Sequence, residues 1–333
     1  MGQLDSITEK ICDVVEEGKY EFDSFLLGGT LPSATFDRED SIRSRFKIRG
    51  RQNIKKQFID ELRKKFKNIT GKRLEHINPD ITIQIIIIID NQNISSPTIS
   101  VKSSPLFLAG RYVKTRLGLP QKKDKCQICL GSGCVSCNYL GASSLNSVEA
   151  IIARRILEIT RGENPKFSWI GSEDKNSLVL GKGRPFLLRI SNPKIRSLKT
   201  DLKVQENGVC AVIKQGKPQD SFKVPAHFIT KTRINIECER HLQRRSLRKL
   251  LSVLENTEVT FKAKSKIVSK KIYSIKLNQV NENKFDVTLI ADGGLLIKQF
   301  VGGQEYHEPN ISKIIGSKCE CTAFDILDVK VQQ

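Results

Sequence analysis

Three observations predict an α+β fold. The first third of the chain pairs an amphipathic helix pattern with an isoleucine-rich strand, a compact cysteine-rich insert and one further helix follow, and beyond them short β segments run on with only two helical patterns among them. Strands in runs with a few helices point to a mainly antiparallel sheet rather than to repeated strand–helix–strand units. With 333 residues the chain has room for two or three domains.

Residues 1–35 are weakly patterned, with a short helix expected at "TEKICDVVEEG". From 52 to 69, Ile54, Phe58, Leu62 and Phe66 recur at every fourth position opposite a lysine-rich face, which is a helix with one apolar side. Gly71 and Pro79 bracket a turn. "ITIQIIIIID" (81–90) is β-branched and interrupted by Gln84, so it reads as a buried strand. It falls short of the ~18 apolar residues of a membrane span, and no longer run exists, so no membrane contact is expected. "SSPTISVKSSPLFLAGRYVKTR" (95–116) reads as a strand and a short basic segment, closing an α+β unit over about 36–120. After the insert, Asn146 and Glu149 have capping-box spacing, and Val148, Ile151, Ile152, Ile156 and Leu157 form the apolar side of a helix. β-rich runs are expected at 185–191, 209–214, 227–237, 258–263, 272–280, 285–291, 295–301 and 323–331, with helices over 241–256 and near 310–317.

The formal charge is +20, and it is spread through "RSRFKIRGRQNIKK" (44–56), "LRKKFK" (62–67), "RHLQRRSLRK" (240–249) and "KAKSKIVSKK" (262–271). Basic runs in several structured segments suit a surface that follows a phosphate backbone better than they suit solvated lysine faces. The phosphate contacts expected are Arg43, Arg45, Lys47, Arg49, Arg51, Lys55, Lys56, Arg111, Lys114 and Arg184. The N-terminus lacks the charged-then-apolar pattern of a signal peptide, so a cytoplasmic protein with reduced thiols is expected.

The nine cysteines then need a role other than disulfides. Cys126, Cys129, Cys134 and Cys137 have the C-x2-C-x4-C-x2-C spacing that lets four thiolates meet one ion, with Gly131 and Gly133 folding the backbone between the pairs. Structural zinc is favoured over an iron–sulfur cluster or unliganded thiols, and four protein ligands leave no open position for catalysis. Lys122, Lys123 and Lys125 offset the thiolate charge. Cys12, Cys210 and Cys238 are isolated, and Cys319 and Cys321 alternate as strand neighbours do. The four histidines, His76, His227, His241 and His307, show no ligand spacing, and no catalytic triad or phosphate-binding loop is present.

"GSEDKNSLVLGKGRPF" (171–186) sets Glu173 and Asp174 in a loop leading into a strand. A carboxylate in a basic surrounding is either half of a structural salt bridge or a reactive group held ionised by its neighbours, and the residues alone leave both open. The segment 146–196 resembles the archaeal and eukaryotic family-ten tRNA pseudouridine synthases, whose motif runs Gly-Arg-Glu-Asp-x-Asp and then Leu-Gly-x-Gly-Arg-Pro-Phe. "KKIYSIKL" (270–277) is similar to the family's Lys-x-Tyr strand, and "ADGGLLIKQFVGG" (291–303) to its Gly-Leu-Tyr-Ile-Lys segment. "CECTAFDILDVKV" (319–331) closes the chain as the family does, and 20–32 and 37–56 resemble its THUMP-containing RNA-binding part.

The resemblance implies a THUMP-containing domain with the cysteine knuckle over 1–143 and a pseudouridine synthase domain with a mainly antiparallel mixed sheet over 144–333. It implies isomerisation of uridine 54, 55 or both in the TΨC arm of tRNA, with no catalytic cofactor and with a monomeric enzyme. Asp174 falls on the catalytic aspartate, Tyr273 on the tyrosine that stacks on the flipped base, and Lys298 on the basic partner of the aspartate. The chain departs from the motif at Ser172 (family arginine), Asn176 (acidic), Leu178 (arginine), Leu296 (tyrosine) and Phe300 (leucine), and has only Cys12 where members carry an N-terminal cysteine pair. The alternative is a zinc-stabilised tRNA-binding protein that has lost catalysis and acts as a folding helper or scaffold. Asp174, Tyr273 and Lys298 favour the enzyme, Ser172 and Asn176 the alternative.

Overall fold

The computed structural model of the chain describes residues 2–90, 93–94, 97–198, 201–216, 227–263 and 266–331. Residues 95 and 96 of the strand expected from 95, and 264 and 265 of the basic run 262–271, lie outside them. The chain forms two compact units. One comprises Met1–Leu106, Ile156–Glu163 and Ile190–Ser197; the other comprises Phe107–Arg155, Asn164–Arg189 and Leu198–Gln333.

The first unit contains α1 (Gln3–Glu17), β1 (Ser24–Thr30), α2 (Ser33–Arg45), α3 (Ile54–Thr70), β2 (Arg73–Leu74), β3 (Ile81–Ile86), the small hairpin β4 (Ile89–Asp90) and β5 (Asn93–Ile94), and β6 (Thr98–Ser103). Its sheet has the order β2-β1-β3-β6, parallel except for β3–β6. The isoleucine run is less buried than its composition suggests. Ile81, Ile83 and Ile85 are fully buried while Ile86 and Ile88 are 45% and 53% exposed, because strand side chains alternate faces whatever their polarity. In α3 the buried row is Ile59, Leu62 and Phe66, whereas Ile54 is largely exposed: with 3.6 residues per turn, a strict fourth-residue row drifts off the core side. Asn53 caps this helix by accepting the Lys56 N–H at 2.8 Å, and Gly71 ends it in the left-handed conformation, φ 68°.

The second unit holds β7 (Leu106–Lys114), α4 (Val148–Thr160), β8 (Glu163–Trp169), β9 (Val179–Ser191), β10 (Leu202–Glu206), β11 (Val209–Gln215), β12 (Phe228–Cys238), α5 (Arg244–Leu254), β13 (Glu258–Ala263), β14 (Lys266–Val280), β15 (Lys284–Asp292), α6 (Ile297–Gly302), α7 (Ile311–Ile315) and β16 (Cys319–Val331), a few of which begin or end in the first unit. One mixed, mainly antiparallel sheet runs β10-β11-β7-β9-β16-β12-β15-β14-β13, with β8 paired to β9. Leu247, Leu250 and Leu254 of α5 pack with Phe285, Val287 and Leu289 of β15 and Phe300 of α6 in its core.

Three expectations are corrected. Residues 295–301 do not form a strand: after the Gly293–Gly294 turn the chain winds into α6, whose Phe300 and Val301 are buried. The cap of α4 is Ser147, whose hydroxyl accepts the Ala150 N–H at 3.1 Å, one residue beyond the Asn146 of the capping-box spacing. Cys238 and Cys319 form a disulfide, because the antiparallel register of β12 and β16 sets them directly opposite. Among the described residues no helix is long and apolar enough to cross a membrane.

Candidate active site

The loop between β8 and β9 is anchored before it presents anything to solvent. At its far end the Leu178 N–H donates to Asp325 Oδ1 at 3.0 Å and the Leu178 carbonyl accepts the Ile326 N–H at 2.9 Å, tying the loop to β16. The two glycines that follow serve packing rather than phosphate binding. Gly181 and Gly183 have φ of 58° and 73°, and a Cβ on either would run into the carbonyl of Leu327 or Tyr112 on the adjoining strands.

Within the loop, Glu173 turns inward. Its side chain is fully buried, accepts the Tyr112 hydroxyl at 2.7 Å, and lies 3.1 Å from Lys114 Nζ and 3.5 Å from Arg184 Nε. Tyr112 also accepts from Gln121 Nε2 at 3.0 Å. Burial, then the Glu173 charge, push the Tyr112 hydroxyl well above the ordinary phenol range. Lys114 Nζ reaches on to the carbonyls of Leu119 at 2.9 Å and Asp174 at 3.2 Å, so one buried ammonium clamps the loop backbone. Arg184 Nε and Nη1 find no hydrogen-bond acceptor among the described residues.

Asp174 turns the other way. Its carboxylate lies on the wall of a cleft of about 350 Å³ lined also by Ser172, Arg184, Phe228, Leu296 and Lys298. Lys298 Nζ donates to Asp174 Oδ2 at 2.7 Å, and the Asn176 N–H donates to Oδ1 at 3.0 Å. The Lys298 bond and then the Asn176 bond hold the carboxyl below the usual carboxylate range, and the Lys114 charge adds to them; the same contact raises Lys298. An ionised carboxylate with one well-placed cation, half open to a cleft, can attack or deprotonate a bound sugar.

Tyr273 is not brought to that pair. It is the extra residue of a bulge where β14 pairs β15, it does not line the cleft, and its hydroxyl donates to Asp292 Oδ1 at 2.9 Å, which raises its pKa. Asp292 ends β15, and the chain runs from it through Gly293 and Gly294 to α6 and Lys298.

A family model described as "Pus10, C-terminal" matches residues 107–330, and one described as "Pus10 THUMP domain, archaeal" matches residues 7–86. The chain belongs to the Pus10 family. Proteins named tRNA pseudouridine synthase Pus10 are similar to it over nearly its whole length. The one from Nitrosopumilus maritimus is 34% identical, covering 94% of this chain and 80% of the relative. The one from Methanocaldococcus jannaschii is 32% identical over 98% and 72%, and that from Cenarchaeum symbiosum 29% identical over 94% and 76%. A chain in the crystal structure of a Cbf5-Nop10-Gar1 complex aligns with TM-score 0.34 and 10% identity over 66% of this chain and 48% of its own, too loosely to bear on the argument.

The Pus10 C-terminal segment includes the cysteine knuckle. The sulfurs of Cys126, Cys129, Cys134 and Cys137 all lie within 4.8 Å of one another. Two of the separations, 3.8 Å for Cys129–Cys137 and 3.7 Å for Cys134–Cys137, match the roughly 3.8 Å edge of a tetrahedron of zinc–sulfur bonds. The N–H groups of Gly133, Cys134 and Gly141 point at the sulfurs at 3.2 Å, as donors to thiolates do. Burial pushes the Cys137 thiol up, but the Cys134 and Gly141 N–H groups outweigh it and bring it down to about 7. These four residues fit a tetrahedral metal ion. Lys123 stands beside them as expected, its Nζ on the Leu140 carbonyl at 2.6 Å.

The expected phosphate contacts divide. Arg45, Lys47, Arg49, Arg51, Lys55 and Lys56 are exposed on the first unit. Arg43 is spent on Glu39 and on the carbonyls of Arg51 and Gln52. Arg111 is spent on the carbonyls of Lys182, Gly183 and Val329. Lys114 and Arg184 are a correction: at 0% and 1% exposure they cannot meet a phosphate at the surface, because their charge is drawn inward by Glu173. Glu173 takes the salt-bridge half of the two readings that the residues left open, with Tyr112, Lys114 and Arg184 as partners. The faint signal for it lies in "RYVKTR", where Tyr112 and Lys114 alternate onto one strand face and demand a buried anion.

Proposed function

We propose that the chain is a tRNA pseudouridine synthase that isomerises uridine to pseudouridine at position 54, 55 or both of the TΨC arm, with Asp174 as the catalytic carboxylate. The observation that carries this reading is the Asp174–Lys298 contact at 2.7 Å on the wall of a cleft, in the segment that matches the Pus10 C-terminal family. The curated relatives bear the name of that activity.

The reaction breaks the C1′–N1 bond, turns the uracil and joins C1′ to C5, with a proton lost from C5 and one gained at N1 at the end. It is an isomerisation with no net redox change, so atoms balance without a cofactor. Asp174 acts at the sugar, as nucleophile or as base, and either role needs it ionised. Lys298 keeps it so. A uridine in a stacked or paired arm must be extruded to reach the carboxylate, and since Tyr273 lies outside the cleft wall its ring stacks on that base only where the base projects beyond the cleft. Because the Tyr273 hydroxyl is committed to Asp292, we assign the ring rather than the hydroxyl that role. The exposed basic residues of the first unit hold tRNA phosphates, and zinc in the knuckle is structural, since four cysteines complete its tetrahedron. We place the reaction in the cytoplasm, carried out by a monomer.

A second reading, a tRNA-binding protein without catalysis, is favoured by Ser172 at the cleft wall where the family motif has arginine. Incubation with an unmodified tRNA transcript and chemical mapping of pseudouridine separates the two. Modification in the TΨC arm is expected; tight binding with unmodified uridines there would leave only the second reading.

A further inference from the structure

The second unit has another cavity, larger than the cleft at about 730 Å³, and the isomerisation itself gives it no role. Lys122, Lys123 and Lys125 reach it from the chain leading into the knuckle, Lys166, Phe167 and Trp169 from β8, and Gly171 and Ser172 from the loop of Asp174. Gly171 and Ser172 line the cleft as well, so this stretch of the loop is a wall common to the two spaces.

The chemistry of its walls is specific. Lys122, Lys125 and Lys166 are exposed. Glu149, the carboxylate in the wall, lies 3.8 Å from Lys123 and accepts a hydrogen bond from Trp169, so its charge is already answered and the excess in the cavity is positive. Trp169 and Phe167, two apart on β8, stack on each other with centroids 4.9 Å apart and planes at 13°. Both are only half buried. The near-perpendicular contact with the Tyr112 ring, 5.5 Å and 79°, and the indole bond to Glu149 fix its orientation. A fixed aromatic platform ringed by lysines binds a base by its face and its phosphates by charge, the pairing that single-stranded nucleic acid requires. Leu130, 75% exposed on the knuckle, adds an apolar rim.

We propose that this cavity is a subsite for one unpaired nucleotide of the RNA, a near neighbour of the one held at Asp174. Its base lies against the Phe167–Trp169 platform and its phosphates against Lys122, Lys125 and Lys166. The assignment of the neighbouring nucleotide as the target uridine rests on the synthase reading. Binding here offsets part of the cost of unstacking the loop so that the target can leave it.

Trp169 is the chain's single tryptophan, so its emission reports this cavity alone. Titration of the full chain with an unmodified tRNA transcript is expected to quench it, and Asp174→Asn to quench equally. The exposed-lysine variant Lys122→Ala/Lys125→Ala/Lys166→Ala is expected to raise Kd about tenfold and to flatten the plot of log Kd against log salt by about 2. Among transcripts with a single abasic site in the target loop, one position should restore the emission and weaken binding about tenfold. Unchanged emission at saturating tRNA, or equal quenching by every abasic transcript, overturns the subsite. Pseudouridine mapping on the same samples judges the synthase reading separately: quenching without modification leaves the subsite standing, and modification without quenching removes only the subsite.

Discussion

The dry region around Glu173 and the wet cleft around Asp174 begin one peptide bond apart and treat a carboxylate in opposite ways. Glu173 is shut among Tyr112, Lys114 and Arg184, with its side chain fully buried. Asp174 keeps more than a quarter of its side chain open and answers to a lysine that is itself 55% exposed. A buried ion pair adds little stability of its own, yet removing one partner strands the other charge, whereas an exposed pair contributes only about 0–1 kcal/mol. The inner carboxylate is therefore structural and the outer one is free for chemistry. The two are coupled, because Lys114 pairs with the first and grips the backbone carbonyl of the second.

The largest effect that would break this contrast is on rate. Asp174→Asn should lower single-turnover pseudouridine formation by at least about 10³-fold. Thermal unfolding should show its stability within about 0.5 kcal/mol of wild type. A large loss of stability would mean that the outer carboxylate is structural after all. Glu173→Gln should do the reverse and cost about 3–5 kcal/mol in denaturant unfolding, since two buried cations lose their counter-charge. Metal analysis should find one zinc per chain, lost in Cys137→Ser; retention of the metal in that variant would remove Cys137 from the ligand set.

Lys298→Gln should show its effect in the pH profile. A carboxylate held below its usual range stays ionised as pH falls past about 4, and activity that needs it is lost only as pH drops through the depressed value. Without the Lys298 bond, the largest cause of that depression, the acid limb of kcat/KM should move up toward the ordinary carboxylate range. An unmoved limb would put the titration elsewhere. Tyr273→Phe is the mildest change: with the ring retained, activity should stay within about tenfold of wild type, while Tyr273→Leu, which removes the stacking face, should lose more.

Much of this was legible in the residues, and what was not has physical reasons. The helix over 54–70 announces itself by periodicity, most strands of the second unit by β-rich runs, though β8 and β10 are not among those runs, and the knuckle by spacing. Asp174 and Lys298 were reachable through motif resemblance, yet their contact joins a loop to a helix 124 residues further along the chain, which no local pattern records. The segment 295–301 is apolar enough for a strand, and only the tight turn at Gly293–Gly294 and the burial of Phe300 and Val301 make it helical. Lys114 and Arg184 look like surface cations because sequence shows charge without its partner. The Cys238–Cys319 bond follows from a register that pairs residues 81 apart.

β16 lies between β9 and β12, in the interior of the sheet, and supplies Phe324 and Ile326 to the cleft. The anchor of the Asp174 loop at Asp325 arrives with it. On a ribosome, Asp174 emerges long before the strand that completes its surroundings. The cleft is thus assembled after translation has carried the chain well past α7, and a nascent chain exposes two unpaired strand edges until then. A chain cut short before β16 therefore lacks Phe324 and Ile326 of the cleft and the Asp325 anchor of the Asp174 loop.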